Sequence, residues 1–234
     1  MTAPSFELRG PLQPMRRLVT LHCEGDRSIG RVQDNVHDFC VTLVHDGMHV
    51  TDVSAQAIRF PWTTCPMGTE RLRALIGSPL AGSRAKIDQS LQCTHMLDVA
   101  KLALVHASRG GDREYRVEVD ASDKAGECLA VLYRDGKILF EWQIVDRVVV
   151  APEQFAGHAT SGRSVWSPAV EADDELREAA LVMRRGVFVF LGRGRVRPKD
   201  VRANFFSDMT GACISFHPEQ IDRAVRPPGF VELE

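Results

Sequence analysis

The sequence predicts an α+β protein. Antiparallel strands built from hairpins form a curved sheet on a buried helix, and a second helix lies towards the C-terminus. Three observations predict this. Six or more runs carry apolar residues at strand spacing, and two pairs of them are joined by Asp-Gly, at Asp46-Gly47 and Asp135-Gly136. Cys93 to Ala107 favours helix at almost every position, and its apolar residues leave no wide polar face, the pattern of a buried helix. Asp173 and the acidic residues after it open a run to about Phe190 that carries Arg184-Arg185 near its end, as a helix dipole favours.

The elements follow in order. Residues 1–15 are Pro-rich and read as an arm. Arg17 to Cys23 alternates as a strand, Ser28 to Gln33 is a second, and Asn35 to His45 with Met48 to Phe60 is the first hairpin. Pro61 ends that strand because it supplies no ladder donor. A short helix is expected over about Gly68 to Ile76, then a connecting segment from Ser78 to Gln92 with a weak helical stretch. Thr94 reads as the cap of the buried helix, and Arg109-Gly110-Gly111 stops it. Glu114 to Ala121 is a strand, and Glu127 to Tyr133 with Lys137 to Val150 forms the second hairpin, similar enough to the first to suggest a duplication. Pro152 to Pro168 is a Gly-, Ser- and Pro-rich loop of the length that lids have. The tail from Ala203 holds a strand-like piece around Ala212 to Phe216.

With 234 residues the chain can bury a full core. It divides into the arm, 1–15, and one α+β domain, 16–234, whose lobes, if there are two, are 16–110 and 111–234. Hydrophobic content of 44% and charged content of 26% mark a folded globular protein. A net charge of −2 offers no basic excess for nucleic acid. The first ten residues lack the apolar core of a signal peptide, and apolar runs such as Val187 to Leu191 are too short to cross a bilayer. Cys23, Cys40, Cys65, Cys93, Cys128 and Cys213 show no paired spacing and read as reduced thiols. A cytoplasmic protein is expected, and a homodimer stays open.

The buried helix carries the chemistry. His95, Asp98 and His106 share one stripe with Leu102, while Lys101 lies on another face. Buried ionisable groups need partners or a task. They either finish the helix ends or wall a reaction pocket. His37 and Asp38 sit on opposite faces of a strand and form no dyad by adjacency. His45 and His49 flank a turn and are expected to be exposed. Cys65, Cys93, His37 and His95 invite a metal reading, though their spacing lacks the paired ligands of structural zinc. Cys93 before a helix start is the thiol–histidine alternative with His95. Arg59, Arg184, Arg185, Arg193 and Arg195 are the cations that could hold an anionic oxygen. Tyr115 and Tyr133 are the phenolic donors, and Trp62, Trp142 and Trp166 could line an aromatic pocket. No dinucleotide fingerprint, P-loop or nucleophile elbow is present.

His37-Asp38-Phe39 before the Asp46-Gly47 turn, Arg59-Phe60-Pro61-Trp62 with Cys65-Pro66, and Cys93-Thr94-His95-Met96 opening a helix resemble the bacterial domain-of-unknown-function 2889 family. Arg184-Arg185 and Gly192-Arg193 fit its C-terminal part, so the likeness runs over about residues 15 to 216. Met96 stands where Leu is commoner. The resemblance implies aromatic catabolism, in which proteins of this kind look like lyases releasing formaldehyde from lignin-derived phenylcoumaran dimers. Such a reaction needs no cofactor. It needs a base, for which His95 oriented by Asp98 or helped by His37 is expected. It needs a partner for the leaving oxygen, Arg185, Lys101 or Tyr133. It needs an aromatic-binding wall, to which Arg59, Trp62 and Trp166 are assigned with Lys101. A binding protein without turnover and a metal-dependent hydrolase or lyase are the alternatives.

Overall fold

The computed structural model describes residues 12–80, 87–161, 166–194 and 200–233. They fall into two compact units. One is Val19–Arg113 with Pro198–Leu233; the other comprises the described parts of Met1–Leu18 and Glu114–Arg197.

In the first unit, β1 (Met15–Glu24), which enters it at Val19, β2 (Arg27–Gln33), β3 (Asp38–His45) and β4 (Val50–Arg59) lie in the order β4-β3-β2-β1. Alternation selects the buried face. Ser28, Gly30 and Val32 of β2 stand opposite Leu43, Val41 and Phe39 of β3, and these three β3 side chains are fully buried. Register shifts at Asp38/Phe39 and Val44/His45 bend β3 against β4. The helix α1 (Met67–Arg71) runs into a 3₁₀ turn over Leu72–Leu75, so the helix expected over 68–76 is split. The buried helix is α2 (Thr94–Ala107), which packs on β2 and β3. A Cβ on Gly30 would lie 2.8 Å from Val99 Cγ2 and 3.1 Å from the Val99 carbonyl oxygen, so glycine is what lets α2 approach the sheet this closely.

In the second unit, β5 (Gly111–Ala121, counted here from Glu114), β6 (Glu127–Arg134), β7 (Lys137–Val145) and β8 (Val148–Ala151) form a meander in sequence order. The single strand expected over 137–150 is broken because Asp146 and Arg147 adopt φ of 48° and 69°, a turn conformation no ladder accepts. Helix α3 (Pro168–Ala172) precedes α4 (Asp174–Arg193), whose N-cap Asp173 accepts from the Leu176 N–H at 3.0 Å. Trp142, Tyr115, Phe155 and Phe190 are its largest fully buried side chains.

The α+β class is the one expected, with hairpins, a buried helix and a later C-terminal helix. Local differences have physical reasons. The cap of α2 is Cys93, with extended backbone and no side-chain cap bond, rather than Thr94. Asn35–His37 is a turn, not strand, because Asp34 folds it over. The piece at 212–216 is a 3₁₀ turn, Ile214–Phe216, whose Ile214 N–H goes to the Gln92 carbonyl at 2.8 Å instead of to a ladder. Arg195, most of the 1–15 arm, and parts of the 78–92 and 152–168 segments lie outside the described residues. No helix among the described residues is long and apolar enough to cross a membrane.

Candidate functional site

The turn between β2 and β3 is built by one carboxylate. Asp34 Oδ1 accepts from the Val36 and His37 N–H groups, both at 2.8 Å, and from His37 Nδ1 at 3.0 Å. The Asp34 N–H closes the turn on the His37 carbonyl at 2.8 Å. Asp34 and His37 are 5% and 6% exposed. An ionised carboxylate only accepts, so Nδ1 is the donor in this bond, and in the neutral imidazole the lone pair is then on Nε2.

Helix α2 brings the second histidine. His95, in its first turn and half-buried, lies with its ring centroid 3.9 Å from that of His37, tilted by 39°. Phe39, fully buried, backs both rings at 5.8 Å from His37 and 6.3 Å from His95. The site is therefore a carboxylate–imidazole pair with a second imidazole packed on it and an aromatic floor. Asp98 and Lys101 follow on α2, both half-buried.

Arg59, at the end of β4, secures the turn from the other side. Its Nη2 donates to the Asp34 carbonyl and, at 3.2 Å, to the His37 carbonyl. Its Nε and the Asn35 Oδ1 are buried polar atoms with no protein partner. Asp38, one residue beyond His37, is engaged elsewhere. Arg31 holds it through two bonds of 2.9 and 2.8 Å, and Gln33 adds a third at 3.2 Å. His37 and Asp38 are thus both buried, each with its own partner. His45, expected at the surface, is 7% exposed, because the register shift at Val44/His45 turns it inward.

The remaining candidates lie in other clusters. Trp62 packs edge-on against Phe206 and Phe216, at 6.0 and 5.9 Å, under the Arg226 guanidinium at 4.5 Å. Tyr133, Arg185 and Trp166 belong to the second unit. Tyr133 lies under the Arg116 guanidinium at 4.0 Å, and partial desolvation followed by the Glu118 charge pushes its hydroxyl upward. Arg185 covers Phe188 at 5.8 Å. Trp166 stacks on His158 at 5.0 Å beneath Arg184 at 5.2 Å. Tyr115 donates to the buried Glu178 at 2.6 Å.

The cysteines named for metal or nucleophile chemistry are not at the histidines' polar turn. Cys65 contacts Ser215 Oγ at 3.4 Å, and Thr64 donates to the same hydroxyl at 2.8 Å. Burial, then the charge of Cys213, pushes the Cys65 thiol up to about 12. Burial, then Cys65 and Cys213, raises the Cys93 thiol well above its ordinary value. These are hydrocarbon-like thiols, the opposite of an activated nucleophile. Among the described residues no three His, Cys, Asp or Glu side chains are arranged to hold a metal ion.

Sequence reasoning named His37, His95 and Arg59, and the structure places them at one turn. It missed Asp34. The available signal was Asp34-Asn35 between two strand runs, a pair that favours turns by bonding its own backbone.

Residues 20–107 match the model of a family described as a protein of unknown function, DUF2889. The match contains Asp34, His37, Arg59 and His95 and ends with α2. No curated protein matches the chain.

Proposed function

From the match of residues 20–107 to the DUF2889 family model we propose a function through the site they hold: general acid–base catalysis by a carbon–carbon lyase acting, without a cofactor, on a small aromatic substrate. The observation that carries this reading is the buried 3.0 Å bond between Asp34 and His37 Nδ1, with the His95 ring packed on the imidazole. A base oriented by a carboxylate, beside a second proton carrier, is what abstraction and return of one proton require.

The reaction that fits is release of formaldehyde from a phenylcoumaran dimer. A histidine takes the γ-hydroxyl proton, and that oxygen becomes the formaldehyde carbonyl as the Cβ–Cγ bond breaks. The released electron pair forms the Cα=Cβ double bond, and the coumaran Cα–O bond breaks to leave a phenolate. The histidine returns the proton to that oxygen. Phe39 packs behind the histidines, and Arg59, which donates to the carbonyls of this turn, is a cation beside it. The polar groups act where charge moves, and no electron acceptor is needed.

The test is turnover of a phenylcoumaran dimer, followed by stilbene absorbance and by formaldehyde. His37→Gln and His95→Ala are each expected to lower kcat by roughly 10²–10⁴ with the fold retained by circular dichroism. Asp34→Asn is expected to act in the same direction by losing the ring's orientation. Full turnover in His37→Gln and His95→Ala would overturn the reading.

A further inference from the structure

The turn that carries Asp34 and His37 is also held from a segment outside the family match. The Leu233 N–H donates to the Asn35 carbonyl at 2.9 Å, and Asn35 Nδ2 donates back to the Leu233 carbonyl at 2.6 Å. Upstream, this segment is fastened to the residues that follow β4. The Thr63 N–H donates to the Val225 carbonyl at 2.9 Å, and the Val225 N–H to Thr63 Oγ1 at 3.2 Å. Arg226 donates to the Pro61 carbonyl at 3.1 Å and lies over the rings of Trp62 and Phe230, at 4.5 and 4.8 Å.

The covalent geometry makes the Asn35 contact consequential. The Asn35 carbonyl and the Val36 N–H are two ends of one planar peptide group. Leu233 binds the first end; Asp34 Oδ1, the atom that also orients His37, binds the second. Rotation of that plane would break both bonds together. We propose that residues 225–233 are a positioning strap, which through Asn35 fixes this peptide plane and so holds the Asp34 carboxylate in the orientation that aims His37 at His95. Its functional meaning rests on the acid–base reading of that pair, but its geometry does not.

Two variants test it in the full chain. Leu233→Pro removes the N–H that binds Asn35, and Asn35→Ala removes the carboxamide bond. In both, the Val36 and His37 amides should exchange with solvent roughly tenfold faster, the scale of one lost hydrogen bond, while the Val41 and Leu43 amides of β3 keep their protection. The imidazole ¹H–¹⁵N signal of His37 Nδ1–H should shift or broaden in both, with that of His106 unmoved. Unchanged exchange at Val36 and His37 with an unmoved His37 signal would overturn the proposal. Should Asn35→Ala cost the fold, β3 protection falls with it, and Leu233→Pro, at a side chain 48% exposed, carries the test. These readouts need no substrate. A strap that fails here is thus separate from a lyase reading that fails on the turnover of His37→Gln.

Discussion

Asp34 gathers three donors on one carboxylate oxygen, two from the backbone and one from His37. That economy explains why the residue was hard to read from sequence. Its neighbours announce a turn, but nothing in a single sequence says that a turn-forming carboxylate will also meet a ring three residues on. His37 was legible as a candidate, yet strand alternation set it against Asp38 when its partner stands on the N-terminal side. The cysteines show the converse. Cys93 before a helix start suggested a stabilised thiolate, but the helix dipole acts on a thiol wholly removed from water, and desolvation wins. A thiol pushed up to about 12 gives up its proton only as the pH nears that value, so at pH 8 roughly one Cys65 side chain in ten thousand is a thiolate. Iodoacetamide at pH 8 should therefore leave Cys65 and Cys93 unmodified in the native protein and alkylate both in urea, read by peptide mass spectrometry. Rapid native labelling of Cys93 would restore the nucleophile reading.

At the scale of elements, the hairpins and α2 were legible because each is written in a strong local code: alternation across Asp-Gly, and an apolar run without a polar face. The breaks were not. The turn at Asp146-Arg147 uses left-handed backbone at residues that do not advertise it, and the shortening of α1 into a 3₁₀ turn changes no side-chain type. Gly30 was equally silent, since a glycine in a strand has several explanations. Its explanation is α2. A methyl group there would stand 2.8 Å from Val99 Cγ2, with the Val99 carbonyl at 3.1 Å behind it, so the helix backbone itself must retreat. Gly30→Ala should destabilise the protein by about 1–3 kcal/mol, the usual cost of overpacking a tight contact. The same shift moves the start of α2 off the sheet, so His95 should lose its packing on His37. Urea unfolding measures the first effect, and the imidazole chemical shifts of His37 and His95 measure the second. A variant as stable as the wild type, with both shifts preserved, would show that α2 has room to spare.

At the scale of the molecule, the part that sequence order hides is the return of residues 198–233 to the unit formed by 19–113. Periodicity reports elements, not which distant segment covers them, and short 3₁₀ turns leave almost no periodic trace. Yet that return supplies much of what surrounds Trp62: Phe206, Phe216 and Arg226 all touch its ring, and Ser215 accepts the Thr64 hydroxyl bond nearby. Trp62 is also the one tryptophan of its unit, the other two being Trp142 and Trp166, so its fluorescence reports on this packing alone when the second unit is removed. In the whole chain it is 5% exposed. A fragment spanning Val19–Arg113, which contains the entire family match, lacks all three ring partners and should emit at the red wavelengths of a hydrated indole. Losing an aromatic neighbour such as Phe216 costs about 3–5 kcal/mol in a packed core, comparable with the whole stability of a small domain. Addition of a Pro198–Leu233 peptide should move the emission to the blue and raise helical circular dichroism as α2 regains its setting. Blue emission from the fragment by itself would mean that the matched stretch closes its own core, and that the returning segment adds only what it does at Asn35.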